Sequence, residues 1–219
     1  MVSVVPAEDE LMNASDDKLR TYIKKEVIFF RTTTGEFGPL SNMAPDFPIF
    51  LSGIRISTSE ALYQACRFPD DPDVQRLIVD QMSPMTAKMK SKKYRDRTRP
   101  DWDDVRVNVM RWCLRIKLQN NWGKFGRVLD RTGGASIVEE STKDEFWGAK
   151  PKEGGLLVGK NALGRLLMEL RGQFREVEEG RAIGLKYPAV PRLYLFGEPM
   201  EASVRRNNVV IETQSSMFD

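Results

Sequence analysis

Apolar positions recur with a helical period over most of this chain. Between Asp101 and Asn120, Trp102, Val105, Val109, Trp112, Cys113 and Ile116 form one stripe and predict a central core helix. Arg111 and Arg115 share a different face of it, with Lys117 near them. A second stripe, Leu163, Leu166, Leu167, Leu170 and Phe174, predicts a final helix over Asn161 to Glu178. Val74, Leu77 and Ile78 mark one face of a helix over Asp73 to Met82. Pro84 then opens the next helix, where its missing N–H costs nothing. Trp122 to Leu129 reads as a short helix ended by Gly133-Gly134, and Ala7 to Lys25 as a peripheral amphipathic helix with Leu11, Leu19, Tyr22 and Ile23 inward.

Strand signals are shorter. Val27 to Arg31 and Ala135 to Glu139 are strand-like, and Ser52-Gly53 joins Pro48–Leu51 to Ile54–Ser57 as a hairpin. Glu140 to Gly159 reads as a loop. Beyond Gly180 the chain has three prolines and one strand-like run, Leu193 to Phe196. These elements predict an α+β protein, a predominantly α-helical single domain with a small β-hairpin/sheet element. Its parts are an N-terminal helical extension (1–25), a main domain (26–178) and a C-terminal extension (179–219) without an assigned role.

The hairpin leads into Ser57 to Phe68, a short helix whose first turn Ser57 can cap, with Glu60 completing a capping box. Leu62, Ala65 and Cys66 fall on its packing side. Glu60, Tyr63, Gln64 and Arg67 fall on the other at i, i+3, i+4 and i+7, which suits either a solvated face or the wall of a pocket.

Composition narrows the chemistry. The 219 residues carry 34 Lys and Arg against 31 Asp and Glu, a net charge of +3 that does not by itself argue for nucleic acid. No apolar run is long enough to span a membrane and no secretory signal is evident, so a cytoplasmic protein with two buried free thiols, Cys66 and Cys113, is expected. There is no histidine. That removes Ser-His-Asp and Cys-His nucleophile systems, and two separated cysteines cannot make the usual zinc site. Proton transfer then falls to Asp, Glu, Lys or Tyr, groups that suit glycosidic cleavage through a cation-like transition state.

Four segments bear on a site. Gly35 to Asn42 is rich in turn formers, and its backbone N–H groups can approach a ligand closely. Gly154 to Asn161 nearly matches a phosphate-binding loop, but Asn161 stands where Ser or Thr would hold magnesium and no apolar strand precedes it. It remains a candidate anion site at a helix start. Glu139 to Gly148 packs four carboxylates and Trp147 into a loop. Lys88 to Arg99 has seven Lys or Arg against one Asp, either a solvated helix end or a phosphate or nucleic-acid contact surface.

The order of these segments resembles the NADAR family. The carrying motifs are Gly-Pro-Leu-Ser-Asn42-Met, Thr58-Ser-Glu60-Ala-Leu-Tyr-Gln64-Ala-Cys-Arg-Phe68, Ser83-Pro-Met-Thr-Ala-Lys88, Val109 to Lys117, Ile137 to Gly148, and Gly159-Lys-Asn161-Ala-Leu-Gly164 through Arg171. The resemblance covers roughly Val27 to Phe174. It implies N-glycosidase chemistry on a ribose C1–N bond, on phosphorylated riboflavin-pathway intermediates or on ADP-ribosylated guanine in DNA. It also implies a pocket of Asn42, Glu60, Asp144, Trp147, Asn161 and Arg171.

The favoured expectation is a metal-independent, cofactor-free hydrolase that removes ADP-ribose from DNA guanine, opposing an ADP-ribosyltransferase toxin. The other readings are the riboflavin-pathway substrate and a module that binds ADP-ribose or NAD without cleaving it. Glu60 is expected to be catalytic first, Asp144 or Glu139 second. Gly38, Ser41, Asn42, Gln64, Arg67, Lys88, Trp147, Gly148, Lys160, Asn161 and Arg171 are expected to bind substrate. Within that set Arg67 and the Gly159–Asn161 helix start would hold the diphosphate and Trp147 would stack on a ring. Many relatives carry Lys where Arg67 stands; Arg cannot form a Schiff base but grips phosphate bidentately. If an amine is needed, Lys88, Lys117 or Lys160 would supply it.

Overall fold

The computed structural model describes residues 18–200. Its elements are β1 (Arg20–Ile23), β2 (Ile28–Phe30), β3 (Ile49–Leu51), β4 (Ile54–Ile56), α1 (Ser59–Ala65), α2 (Pro72–Val79), α3 (Pro84–Lys93), α4 (Trp102–Asn120), α5 (Trp122–Arg131), β5 (Ile137–Glu139), β6 (Lys150–Lys152), β7 (Leu156–Gly159), α6 (Ala162–Glu178), β8 (Tyr194–Leu195) and β9 (Glu198–Pro199). Helices therefore dominate, with small sheets beside them.

The α4 stripe lies at the centre. Val109, Trp112, Cys113 and Ile116 are buried with Leu62 and Ala65 of α1, Leu166, Leu167 and Leu170 of α6, and Phe125 and Leu129 of α5. Trp102 is buried too, and Val105 is half-buried against the same core. Burial of side chains of this size contributes roughly 1.5–3 kcal/mol each, and this one cluster fixes where α1, α4 and α6 sit.

The β3–β4 hairpin turns through Ser52 and Gly53, both left-handed (φ 49° and 76°), the geometry that suits a two-residue connection. It delivers the chain into α1, but the cap is Thr58, whose hydroxyl accepts from the Ala61 N–H. Ser57 instead donates to the Gln81 carbonyl, and Glu60 does not close a capping box: its N–H donates to the Asn42 carbonyl. Glu60 is therefore not folded back onto its own helix start.

The expected N-terminal helix is corrected where it is described. Arg20–Ile23 is a strand, antiparallel to β7, with Tyr22 packed toward Val138, Ala149 and Leu157 while Leu19 and Ile23 stay exposed. A period of two over Arg20-Thr21-Tyr22-Ile23 outcompetes the helical pattern, because an unpaired β7 edge is available. The rest of that helix, including Leu11, lies outside the described residues. Likewise, Glu140 to Gly159 is no plain loop. It holds β6 and β7, which make with β1 a three-stranded antiparallel sheet of order β1-β7-β6, while β2 pairs parallel with β5. On α2, Val74 and Ile78 are buried but Leu77 is exposed.

The segment after α6 folds back onto the body. Leu195 and Met200 join the core, and Gln75 of α2 clasps the tail by donating to the Tyr194 carbonyl and accepting from the Phe196 N–H.

Candidate active site

A cleft of about 1010 Å³ opens where α1, α3, α4, the Arg31–Met43 segment and the Glu139–Trp147 segment meet. The face of α1 turned away from Leu62 and Ala65 lines it through Glu60, Tyr63 and Gln64, and Arg67 joins them two residues past the end of the helix. Trp102, Asp103, Arg106 and Met110, one face of α4, form another wall, and α3 contributes Lys88.

Four carboxylates line it, and three of them, Glu60, Glu139 and Asp144, converge. Glu60 is 6% exposed; its Oε1 accepts from Gln64 Nε2 at 2.9 Å and stands 3.9 Å from the Lys88 ammonium. Gln64 is held in turn by the Ser91 hydroxyl, which donates to its Oε1 at 2.6 Å. Glu139, at the end of β5, has its carboxyl pushed up to about 7, first by burial, then by Asp144 and Glu60, with Lys88 acting in the opposite sense. Asp144 accepts with Oδ1 from the N–H groups of Phe146 and Trp147, 2.9 Å each, and so anchors its own turn. A carboxyl that holds its proton near neutrality beside a second, hydrogen-bonded carboxylate is an arrangement able to divide acid and base roles.

Guanidinium groups hold the rest of the lining. Arg67 donates to Thr98 Oγ1 at 3.1 Å and lies 5.2 Å over the Trp102 ring; burial lowers its pKa. Arg106 lies 4.0 Å over the Phe146 ring, and Arg31, Arg95 and Arg99 also face the cleft. Arg99 is spoken for by Asp101 and by the carbonyls of Pro191 and Arg192. The Trp147 ring meets Tyr63 edge-on at 5.7 Å, closing an apolar side of the cleft. The described fold thus holds acids, cations and aromatic edges around one space, an arrangement able to stabilise developing charge of either sign.

The NADAR domain signature matches residues 28–175. The chain belongs to the NADAR family. It is similar to the N-glycosidase YbiA of Escherichia coli, 35% identical over 162 residues that cover 71% of this chain and 93% of that protein. The N-glycosidase Npun_R5314 of Nostoc punctiforme is 30% identical over 68% of this chain and 94% of its own length. The riboflavin biosynthesis protein VVA0006 of Vibrio vulnificus is 35% identical over 72% of this chain, but the match spans 41% of that longer protein. The solved solution structure of E. coli YbiA superimposes with a TM-score of 0.61 at 32% identity, covering 74% of this chain and 91% of that one.

The NADAR motif residues divide between cleft and scaffold. Ser41, Asn42, Glu60, Gln64, Arg67, Lys88, Glu139, Asp144 and Trp147 all line the cleft. Gly38 and Gly148 do not. A Cβ on Gly38 would stand 2.4 Å from the Thr33 carbonyl carbon, and one on Gly148 2.5 Å from the Glu139 oxygen, so both serve close backbone approach. Asn161, left-handed and fully buried, stitches β5: its Oδ1 accepts from the Glu139 N–H and its Nδ2 donates to the Ile137 carbonyl. Arg171 ties Thr132 to the Ala135 carbonyl, and Lys160 stands over the Phe146 ring off the cleft lining.

The expected anion site at the start of α6 is also corrected. The N–H groups of Lys160, Asn161, Ala162 and Leu163 already donate to the carbonyls of Glu145, Gly148, Phe146 and Trp147. Those donors are consumed by the loop itself and cannot cradle a diphosphate. In the Gly35–Asn42 loop the N–H groups of Gly38, Leu40 and Ser41 are likewise bonded within the segment. Arg95, from the basic Lys88–Arg99 segment, lines the cleft, whereas Arg106 and Met110 were not among the expected site residues. The signal for the last two was their spacing from Trp102, i+4 and i+8, along the edge of the apolar stripe of α4.

Proposed function

We propose that the cleft hydrolyses the bond between ribose C1 and a nitrogen in a phosphorylated substrate, with Glu60 and Glu139 dividing the chemistry. As a NADAR member whose relatives of matching length are named N-glycosidases, the chain is a hydrolase of N-glycosidic bonds. The observation that carries the assignment of roles is the meeting in one cleft of a fixed, buried Glu60 with Glu139, whose carboxyl burial and the neighbouring acids push up to about 7. As the C1–N bond breaks, positive charge grows on the ribose ring, and the Glu60 carboxylate stabilises it. Glu139 gives its proton to the departing nitrogen or takes one from the attacking water, according to which form is present. Arg67, Arg95 and Arg106 suit the phosphates, and Trp147 suits a ring edge.

The finer reading is ADP-ribose on DNA guanine as substrate, with an ADP-ribosyltransferase toxin as the activity it opposes. Two features favour it: a cleft of about 1010 Å³ suits more than one ring system, and Lys92 and Lys93 continue the basic side of α3 outside it. The second reading, a small riboflavin-pathway ribosylamine, is favoured by the name of the Vibrio relative. Release of free ADP-ribose from modified DNA, against release of ribose phosphate from the small substrate, separates them. DNA turnover would also fall with salt, each phosphate contact steepening the log–log slope by about 0.9. In either case Glu60→Gln is expected to abolish turnover at unchanged melting temperature; wild-type turnover in that variant ends the assignment.

A further inference from the structure

We propose that Lys117 is a positioning residue of the cleft: a buried ammonium that holds, from behind, the backbone presenting Ser41 and Asn42 to the substrate. The inference rests on reading the cleft as the active site.

Lys117 points from α4 into the interior and is fully buried, yet it does not line the cleft. Its Nζ donates to the Pro39 carbonyl at 2.7 Å and to the Ser41 carbonyl at 3.0 Å. It also lies 4.2 Å from the centroid of the Phe125 ring and 5.0 Å from that of Phe47. An ammonium has three N–H groups and no lone pair. Two are used by carbonyl oxygens, and the third is left for the electron-rich ring faces. A neutral amine would keep two donors but turn its lone pair toward those faces, so the cage fits the charged form.

What the cage holds is the wall of the cleft. Past Ser41, whose carbonyl Lys117 binds, Asn42 uses its own carbonyl to accept from the Glu60 N–H and its side-chain amide to reach the Met110 sulfur. Lys117 is therefore two residues' reach from the first turn of α1, which carries Glu60. The cost of placing it there is visible. Burial alone lowers its pKa to about 7, and no charged neighbour contributes; Lys124, which shares the Phe47 ring and holds the Asp46 carbonyl, is the other cation at this cage. A lysine whose pKa is lowered by folding adds stability as the pH rises from about 7 toward its ordinary value, and loses it as the pH falls. Retaining the charge for positioning thus runs against stability, and the two effects move oppositely with pH.

The test follows Lys117 Nζ and the amides of Ser41, Asn42 and Glu60 by NMR from about pH 5.5 to about pH 9, a window that brackets the lowered pKa. Wild type, Glu139→Gln and Lys117→Met are compared. The expected result is that the amides titrate together with Nζ in wild type and in Glu139→Gln, where the cleft acid cannot interfere, and stop titrating in Lys117→Met. Turnover in Lys117→Met should fall at least about tenfold, as a small displacement of positioned groups does. Amides that do not follow Nζ, a transition that persists in Lys117→Met, or full turnover in that variant each overturn the proposal. If Lys117→Met does not fold, the other two titrations decide. If wild type cleaves neither substrate, the functional reading fails while the titrations still judge Lys117.

Discussion

Burial and two neighbouring carboxylates push the Glu139 carboxyl up to about 7, and this has a thermodynamic consequence besides the catalytic role proposed for it. A carboxyl raised by folding binds a proton that the unfolded chain has released, so its contribution to stability declines as the pH rises from about 4.5 through about 7. Glu139→Gln removes that dependence. It is expected to raise stability at pH 8 by the order of 1 kcal/mol in urea melts while removing the limb of the pH–rate profile that lies near neutrality. At this scale the sequence was informative where periodicity applied: the spacing of Glu60, Tyr63, Gln64 and Arg67 put all four on one face, and all four reach the cleft. It was uninformative where a polar side chain is spent on the scaffold. Asn161 and Arg171 sit in recognisable motifs, but nothing local shows that their partners are the β5 backbone and the α5–β5 turn. Lys117 is the extreme case, since no pattern marks a lysine for full burial.

Among the elements, α1 shows how little a boundary shift in sequence costs and how much it decides. Moving the cap from Ser57 to Thr58 frees the Glu60 side chain for the cleft. Thr58→Ala is therefore expected to cost about 1 kcal/mol, the usual worth of an N-cap, and Ser57→Ala less, because its bond to Gln81 lies outside the helix; chemical denaturation of both variants measures the difference. The long helices were readable because each buries a stripe along its own length. The short strands were not. Arg20–Ile23 finds its partner at Leu156–Gly159, far along the chain, and Lys150-Pro-Lys152 is an edge strand with mostly exposed side chains. Such pairing is written in the meeting of two segments, and neither segment alone displays it.

For the molecule as a whole, the tail is a structural part of the body that its composition does not advertise. Leu195 and Met200 are buried in the core, Gln75 is fully enclosed by its bonds to the tail, and the Arg99 guanidinium, which faces the cleft, is fastened to the Pro191 and Arg192 carbonyls. Ending the chain after Ala182 strips two core side chains and takes from Gln75 the Phe196 N–H and the Tyr194 carbonyl, leaving its amide only the Ala65 carbonyl. The loss should be at least about 3 kcal/mol by urea melts, with slackening of the basic side of the cleft read as a raised KM.

The start of α6, closed by the carbonyls of its own preceding loop, has a consequence for how this protein can change over time. Folds that hold phosphate on backbone N–H groups carry that preference in their architecture, and single substitutions rarely remove it. Here the cations that face the cleft are side chains: Arg31 after β2, Arg67 after α1, Lys88 on α3, Arg95 and Arg99 between α3 and α4, and Arg106 on α4. All but Arg99, which is fastened to the tail, can be exchanged by one codon without rebuilding a turn. On the proposed function, the number and placement of phosphates that the cleft accepts is open to stepwise revision while Glu60 and Glu139 stay as they are.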